Sequence, residues 1–362
     1  MTQSRPTVMV LFGGQSSEHQ ISCATAAGVL KAINRQKWDV VPVGITPEGE
    51  WVLMPDDPNL YQLQSGHGYT VSARARPQVS VRTGHPEIIV GEDTRHIDVV
   101  FPLLHGPWGE DGTLQGLLEL SAIRYVGCGV AASAVSMNKY LTKAVLSQAG
   151  IPVGRWEYVT PRQWMDDPES TLERLRELGT PVFVKPCRAG SSQGISRVED
   201  PFELPAAIEK ARSHDPRVIV EAASPGREIE CGVLQLADGR VIASPLGEIK
   251  VTDGQWYDYE TKYFNPDGAD LQCPADVPEL AAKEIQKTAL KAFDALELEG
   301  LSRIDFFYEP STGEYCVNEV NTLPGFTPFS MYPTMLQAGG YSYPDLVHAL
   351  LDEALMRTPG LR

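Results

Sequence analysis

Chemistry-bearing side chains are densest in the segment RIDFFYEPSTGEYCVNEVN, residues 303–321. Polar and apolar residues alternate on both sides of a Ser-Thr-Gly turn, the pattern of two half-buried strands joined as a hairpin. The period of two sets Arg303, Asp305 and Phe307 on one face of the first strand, and Val317, Glu319 and Asn321 on one face of the second. A turn centred on Thr312 then brings Asp305 opposite Glu319 and Arg303 opposite Asn321. Two carboxylates and an amide oxygen are hard donors that suit Mg²⁺ shared with substrate phosphates. The guanidinium beside them suits charge developing on a transferred phosphoryl or acyl group. A solvated hairpin face carrying a cross-strand ion pair is the plainer alternative, on a strand pair whose other face (Ile304, Phe306, Val320) is apolar.

Further candidate segments lie in loops. Lys185 ends the strand PVFVK, and PCRAGSSQG (186–194) follows it. Small residues let successive backbone N–H groups point the same way, which favours an anion, and the lysine adds a point charge. The lysine precedes the glycines and no helix follows, so this is not a Walker A loop; a plain hairpin connection is the alternative. GGQSSEHQIS puts Glu18 and His19 where a parallel strand passes into a helix, the usual ligand position in an open α/β sheet, without the spacing of a dinucleotide fingerprint. HGPWGEDG holds His105, Glu110 and Asp111 between glycines, as either a functional loop or a tight turn with a structural histidine. WYDYETKY (256–263) is too polar for a core strand and reads as a lid or an ordinary surface loop.

Around these segments the expected elements alternate. Residues 7–12, 21–33 and 38–45 read as strand, helix, strand, a βαβ unit with a parallel sheet. Residues 51–96 are turn-rich and ambiguous in period. Strand 97–104 leads into HGPWGED and a helix at 113–122, and the first domain closes near Gly129. A helix over about 133–149 stops at Gly150 with Pro152 beyond. Then come a helix near 168–178, strands 181–185 and 195–198, a helix near 203–212 and strand 217–221, a second α/β unit. From 229 onward, strands joined by turns, a helix at 278–297, the hairpin at 301–320, a Pro-rich loop and a final helix at 343–356 describe a third, α+β unit. No internal repeat is visible.

Composition limits the function classes. At 362 residues the chain has room for two or three domains. Its formal charge of −16 argues against a generic nucleic-acid or anionic-membrane binder. Local cations and a divalent metal can still admit an anionic nucleotide. The six cysteines are widely spaced with no CxxC pair, which reads as reduced cytoplasmic thiols. Arg5 and the short apolar run Val8 to Phe12, ending in Gly13-Gly14, make a buried strand and not a signal peptide or membrane span.

Taken in order, GGQSSEHQIS, HGPWGEDGTLQG, SMNKYLTK, VFVKPCRAGSSQGIS, EAASPGREIECGVL, WYDYETKY, GLSRIDFFY and VNEVNTLPGFTPFSMYP resemble the D-alanine:D-alanine ligases of the ATP-grasp superfamily. The resemblance runs from Leu11 to about Gly340 and is thinnest over 51–96. It implies a three-domain ATP-grasp architecture of α/β and α+β class: an N-terminal parallel-sheet, substrate-binding domain (1–129), a central ATP-grasp subdomain with the Gly/Ser loop (130–221), and a C-terminal subdomain with metal site and acceptor loop (222–362). The implied reaction passes the γ-phosphate of ATP to the carboxylate of one D-alanine and lets the amine of a second attack the acyl phosphate, making the D-alanyl-D-alanine end of peptidoglycan precursors. Implied roles place Glu18 at the first ammonium and His105 near that substrate's carboxylate. Lys139, Lys185 and Lys262 fall at ATP phosphates, with Glu221 and Glu228 at adenine and ribose. Asp305, Glu319 and Asn321 would bind two Mg²⁺, with Mn²⁺ as a substitute. Arg303 and the Gly325 N–H would stabilise the oxyanion, Ser330 would receive the second carboxylate, and Ser191 and Tyr263 would join Glu18 in a set closing the site. A cytoplasmic homodimer is expected, with D-alanine and ATP as partners and no nucleic acid or membrane. The chain departs from many relatives at Ala222-Ala223 and at Ala189.

Three alternatives stand beside this: a ligase taking D-lactate or D-serine as second substrate, a non-catalytic nucleotide-binding protein on the same scaffold, and a dehydrogenase. Joint presence of Arg303, Asp305, Glu319 and Asn321 counts against the second, and the missing glycine fingerprint against the third. The dipeptide Lys262-Tyr263 in the lid segment matches the amide-forming pattern of the family and not the ester-forming one.

Overall fold

A computed structural model describes residues 5–63, 68–190, 192–251 and 269–360. Four sheets organise the described residues. The first begins with β1 (Thr7–Gly13), α1 (His19–Ala32), β2 (Asp39–Ile45) and β3 (Trp51–Leu53). A small antiparallel sheet of β4 (Val79–Arg82), β5 (Glu87–Val90) and β6 (Asp93–His96) fills the region that no period assigned. The chain then returns through β7 (Val99–Pro102), α2 (Thr113–Leu120) and β8 (Arg124–Tyr125). In the first sheet β2, β1, β7 and β8 are parallel and only β3 runs against them. Their near-continuous apolar runs follow from this, since a parallel sheet is covered on both faces.

The expected helix over 133–149 is two helices, α3 (Val130–Met137) and α4 (Lys139–Gln148), broken at Asn138. Asn138 is extended, and its side-chain oxygen accepts from Leu141 N at 3.2 Å as the N-cap of α4. Within α4, Lys139 and Lys143 lie on one helix face at i, i+4.

The second sheet contains β9 (Trp156–Val159), β10 (Val182–Pro186), β11 (Ser196–Val198) and β12 (Val218–Ala222), in the order β11-β10-β12-β9. Every neighbouring pair is antiparallel, a pairing that the alternation of strands and helices in the sequence did not specify. Helices α5 (Pro161–Asp166) and α6 (Pro168–Arg176) connect β9 to β10, and α7 (Leu204–Arg212) connects β11 to β12. Each helical connection does join two strands of like direction, but another strand of opposite direction lies between them. Sequence alternation records the connection and not the interposed strand.

The third sheet, β15-β14-β13-β16-β17, is built from β13 (Arg227–Gln235), β14 (Val241–Val251), β15 (Ala269–Gln272), β16 (Leu301–Tyr308) and β17 (Tyr315–Asn321). Helix α8 (Glu279–Ala295) packs Ile285, Ala289, Ala292 and Phe293 against one face, onto Ile229, Cys231, Val233, Ile304 and Phe306. The Pro-rich segment expected as a loop contains α9 (Met331–Ala338). The last helix, α10 (Tyr343–Met356), closes the chain on the first sheet. There Leu346, Val347, Leu350 and Leu351 share one core with Val8, Val10, Val99 and Phe101, a core that also takes in Met331, Tyr332 and Met335 of α9. This shared core fixes the loop before α9 beside the loops at the ends of β1 and β7. Among the described residues no helix is long and apolar enough to cross a membrane, and all six cysteines are free.

The cap at Asn138 gives a stability test. Asn138→Ala should lower stability by about 1 kcal/mol, and Asn138→Ser should recover most of it. Calorimetric unfolding of the two variants checks this.

Candidate active site

Register across the third sheet builds one wall of the site. Asp305 is paired with Glu319 and Arg303 with Asn321, as the hairpin arithmetic required. On the other side Asp305 is paired with Glu230 and Arg303 with Gly232. Directly paired residues point the same way, so Glu230, Asp305 and Glu319 form a row of carboxylates over β13, β16 and β17. The hairpin register shifts by one after Asp305, because Asn318 is an extra residue in β17 and Phe306 pairs with Val317. The bulge overturns the expectation that Val317 shares a face with Glu319: Val317 is buried with Ile304, Phe306 and Val320 in the core under the sheet.

Arg303 is threaded through this row. Its Nε and Nη2 donate to Asp305 Oδ1 and Oδ2 at 2.7 and 2.8 Å, and Nε lies 3.2 Å from Glu230 Oε2. Asn321 Nδ2 donates to Asp305 Oδ2 at 2.9 Å. Burial alone would make the guanidinium easier to deprotonate; Asp305, Glu230 and Glu319 more than reverse this and hold it firmly charged. Asp305, Glu319 and Asn321 fit a hard divalent cation by donor type and by sharing one face. Among the described residues no three His, Cys, Asp or Glu side chains are close enough to hold a metal unaided, so a cation here would share its ligands with substrate oxygens.

The second sheet supplies the opposing wall. Lys185 on β10 lies 2.6 Å from Glu221 Oε2, and Lys143 on α4 lies 3.0 Å from Oε1. All three side chains are largely buried. Burial pushes the Glu221 carboxyl up, but the two ammonium groups dominate and bring it down to about 2. Burial likewise works against the charge of Lys185, and Glu221, Glu319 and Glu228 restore it and raise its proton affinity. Glu319 and Glu228 of the third sheet lie close enough to Lys185 to act on its charge. Lys139 Nζ donates to the Ala189 carbonyl at 2.8 Å, joining α4 to the Gly/Ser loop. That loop is bent by left-handed backbone at Ser192 (φ 57°) and Gly194 (φ 73°). Its base is held by Asp215, which accepts from Arg188 N, Nε and Nη2 at 2.8–2.9 Å.

Loops of the first sheet complete the cleft. Glu18, at the N-cap of α1, is buried, and its Oε2 lies close to the Cα substituent positions of Gly106 and Gly190. Gln193 Nε2 donates to Ser17 Oγ at 3.0 Å, so the Gly/Ser loop touches this corner. His19 is committed to structure: Nε2 accepts from Val71 N at 2.9 Å, leaving Nδ1–H to donate to the Gly14 carbonyl at 2.6 Å. His105 Nδ1 donates to the Leu323 carbonyl at 3.2 Å, and its buried Nε2 has no hydrogen-bond partner among the described residues. Glu110 accepts from Gly106 N at 2.5 Å and from the Leu323 backbone. Ser330 precedes α9; its Oγ accepts from Thr327 N at 3.1 Å and lies near Gly325.

Of the expected site residues, Arg303, Asp305, Glu319 and Asn321 share one face of the third sheet, Lys185 pairs with Glu221, and Lys139 reaches the Gly/Ser loop. Glu18 lies by Gly106 and Gly190, His105 bonds the Leu323 carbonyl, and Ser330 lies near Gly325; Glu228 is on β13, two residues before Glu230. Ser191 and the whole of the segment 256–263, with Lys262 and Tyr263, lie outside the described residues. Sequence reasoning passed over Lys143, although it follows Lys139 by one helical turn. It also passed over Glu230, although it follows Glu228 at strand spacing.

Glu110 carries a pH test. Burial and the charge of Glu18 raise its carboxyl to about 8 from its ordinary 4.5, against the two backbone hydrogen bonds that lower it. A raised carboxyl stabilises the fold fully below about pH 4.5, and this contribution is lost as pH rises through 8. Glu110→Gln should therefore flatten the fall in thermal midpoint between about pH 5 and 9. An unchanged pH slope would contradict the assignment.

Comparison with known proteins identifies the family. The family described as D-ala D-ala ligase N-terminus matches residues 7–128, and D-ala D-ala ligase C-terminus matches 145–352. The chain is 50% identical to the D-alanine–D-alanine ligase of Paenarthrobacter aurescens, covering 99% of this chain and 97% of that one. It is also 50% identical to the D-alanine–D-alanine ligase of Kineococcus radiotolerans over the full length of both. Among solved structures it is similar to the VanG D-Ala:D-Ser ligase from Enterococcus faecalis (TM-score 0.85, 36% identity, 97% and 100% coverage). The D-alanine-D-alanine ligase from Coxiella burnetii is also similar (TM-score 0.83, 35% identity, 98% and 94% coverage). Full-length matches to both halves of one family and a shared ATP-grasp architecture establish that this chain belongs to the D-alanine–D-alanine ligase family.

Proposed function

We propose that this chain joins two molecules of D-alanine, using ATP, for peptidoglycan precursor synthesis. The observation that carries the proposal is the facing of two charged walls: the Glu230-Asp305-Glu319 row with Arg303, and the Lys143-Glu221-Lys185 cluster with Lys139 and the Gly/Ser loop. One wall is built for cations and a transferred group, the other for phosphates.

In the proposed sequence the carboxylate oxygen of the first D-alanine attacks the γ-phosphorus of ATP, and ADP leaves. Lys139 and Lys185, with Lys262 from the lid, neutralise the phosphates, while Glu221 and Glu228 face adenine and ribose. Glu18 holds the ammonium group of the first substrate and His105 lies at its carboxylate. Asp305, Glu319 and Asn321 would hold Mg²⁺, which when bound would supply positive charge to the phosphate oxygens. The amine of the second D-alanine, its carboxylate held at Ser330, then attacks the acyl carbon. Arg303 and the Gly325 N–H receive the oxyanion of the tetrahedral intermediate, and its collapse expels inorganic phosphate. Before attack the amine must shed its proton, so the acceptor site has to disfavour the ammonium form. Ser191 and Tyr263 would close the site with Glu18. The second-substrate choice rests on Lys262-Tyr263; similarity to a D-Ala:D-Ser ligase makes D-serine the competitor to exclude. A cytoplasmic homodimer is part of the same proposal.

Incubation with ATP, Mg²⁺ and D-alanine should yield D-alanyl-D-alanine and ADP in equal amounts by mass analysis. Replacing the second substrate by D-serine or D-lactate should give far less product, with D-lactate poor from about pH 6 to 9. Equal use of D-lactate and D-alanine at pH 8 would contradict the substrate assignment. Arg303→Ala should lower kcat by ~10²-fold or more while the KM for ATP moves less, because the guanidinium acts on charge that develops during reaction. A change confined to the ATP KM would place Arg303 in nucleotide binding instead.

A further inference from the structure

Arg303 has two carboxylate partners that differ in what else they are asked to do. Asp305 holds it through two hydrogen bonds, yet under the proposed function Asp305 must also give its oxygens to a divalent cation. Arg303 must in turn offer its N–H groups to the reacting oxygens. Both demands loosen the Arg303–Asp305 pair. Glu230 stands outside the proposed set of cation donors. It is 5% exposed, sits on the middle strand of the sheet with paired neighbours on both sides, and meets Arg303 at Nε, the end away from the fork's outer nitrogens. The position on β13 paired with Arg303 is Gly232, so no side chain from that position competes with Glu230 for the guanidinium.

We propose that Glu230 is the positioning residue that keeps Arg303 in place when Asp305 turns its oxygens to the cation. A buried guanidinium deprived of one carboxylate needs another. Were Glu230 neutral, Arg303 would stay on Asp305, and cation and guanidinium would compete for the same oxygens. This inference rests on the proposed ligase reading, and the test separates the two.

The test compares Glu230→Gln, which keeps shape and removes charge, with Glu230→Asp, which keeps charge on a shorter arm. For Glu230→Gln, kcat should fall by about tenfold or more with the ATP KM within about threefold. The Mg²⁺ concentration for half activity should rise by about threefold or more, and added Mg²⁺ should recover part of the lost rate. Independently of turnover, Mn²⁺ titration followed by electron paramagnetic resonance, with ADP present, should show binding weakened by a similar factor. Glu230→Asp should lie between wild type and Glu230→Gln in both readouts, and serves as the working variant if Glu230→Gln fails to fold. Mn²⁺ affinity and Mg²⁺ requirement within about twofold of wild type in the folded variants would overturn the proposal. Wild-type protein that neither binds Mn²⁺ with ADP nor forms dipeptide would instead overturn the ligase reading.

Discussion

Three carboxylates abreast on adjacent strands repel one another, and the guanidinium of Arg303, built into the same face, offsets that repulsion. Glu230, Asp305 and Glu319 occupy paired positions on β13, β16 and β17, where like charges destabilise a sheet. Arg303, one pair along the same strand face, spans two of them. The apolar underside, packed on α8, fixes the register, and the register fixes which side chains meet. Core packing is therefore what aims the charges. A slip of one residue would bury the acids and expose Ile304 and Phe306.

The opposite wall obeys the same rule with the signs exchanged. Glu221 stands between Lys143 and Lys185, and its carboxylate offsets the burial that works against the charge of Lys185. Each wall thus keeps its charges solvent-poor but paired, which preorganises them for substrates that exchange into existing pairs. The loops of the first sheet join through contacts to the loop before α9, with His105 and Glu110 both bound to the backbone at Leu323. The core shared by α9, α10 and the first sheet makes that junction rigid.

How much of this was legible in the sequence follows from the range of the interactions. The hairpin register was readable because a tight turn and a period of two determine it locally. Its bulge was marked only by apolar residues three apart, Val317 and Val320, where strict alternation allows two or four. Asn138 is a good cap, yet its position inside a continuous helical pattern hid the break before α4. Antiparallel pairing in the second sheet was not readable, because helical connections of like length join strands that are adjacent or strands that have a third between them. Glu230 and Lys143 gain meaning only when the partner element is in place, and sequence spacing alone does not pair them with Arg303 or Glu221.

Under the proposed function an acid-rich cleft in a chain of net charge −16 accepts a polyphosphate only together with a divalent cation that occupies its carboxylate row. Calorimetric titration of ADP into the protein, once with Mg²⁺ and once with a chelator, tests this most directly. Affinity should fall by about tenfold or more without Mg²⁺, since the phosphates then face Asp305 and Glu319 unshielded. Equal affinity under both conditions would contradict it.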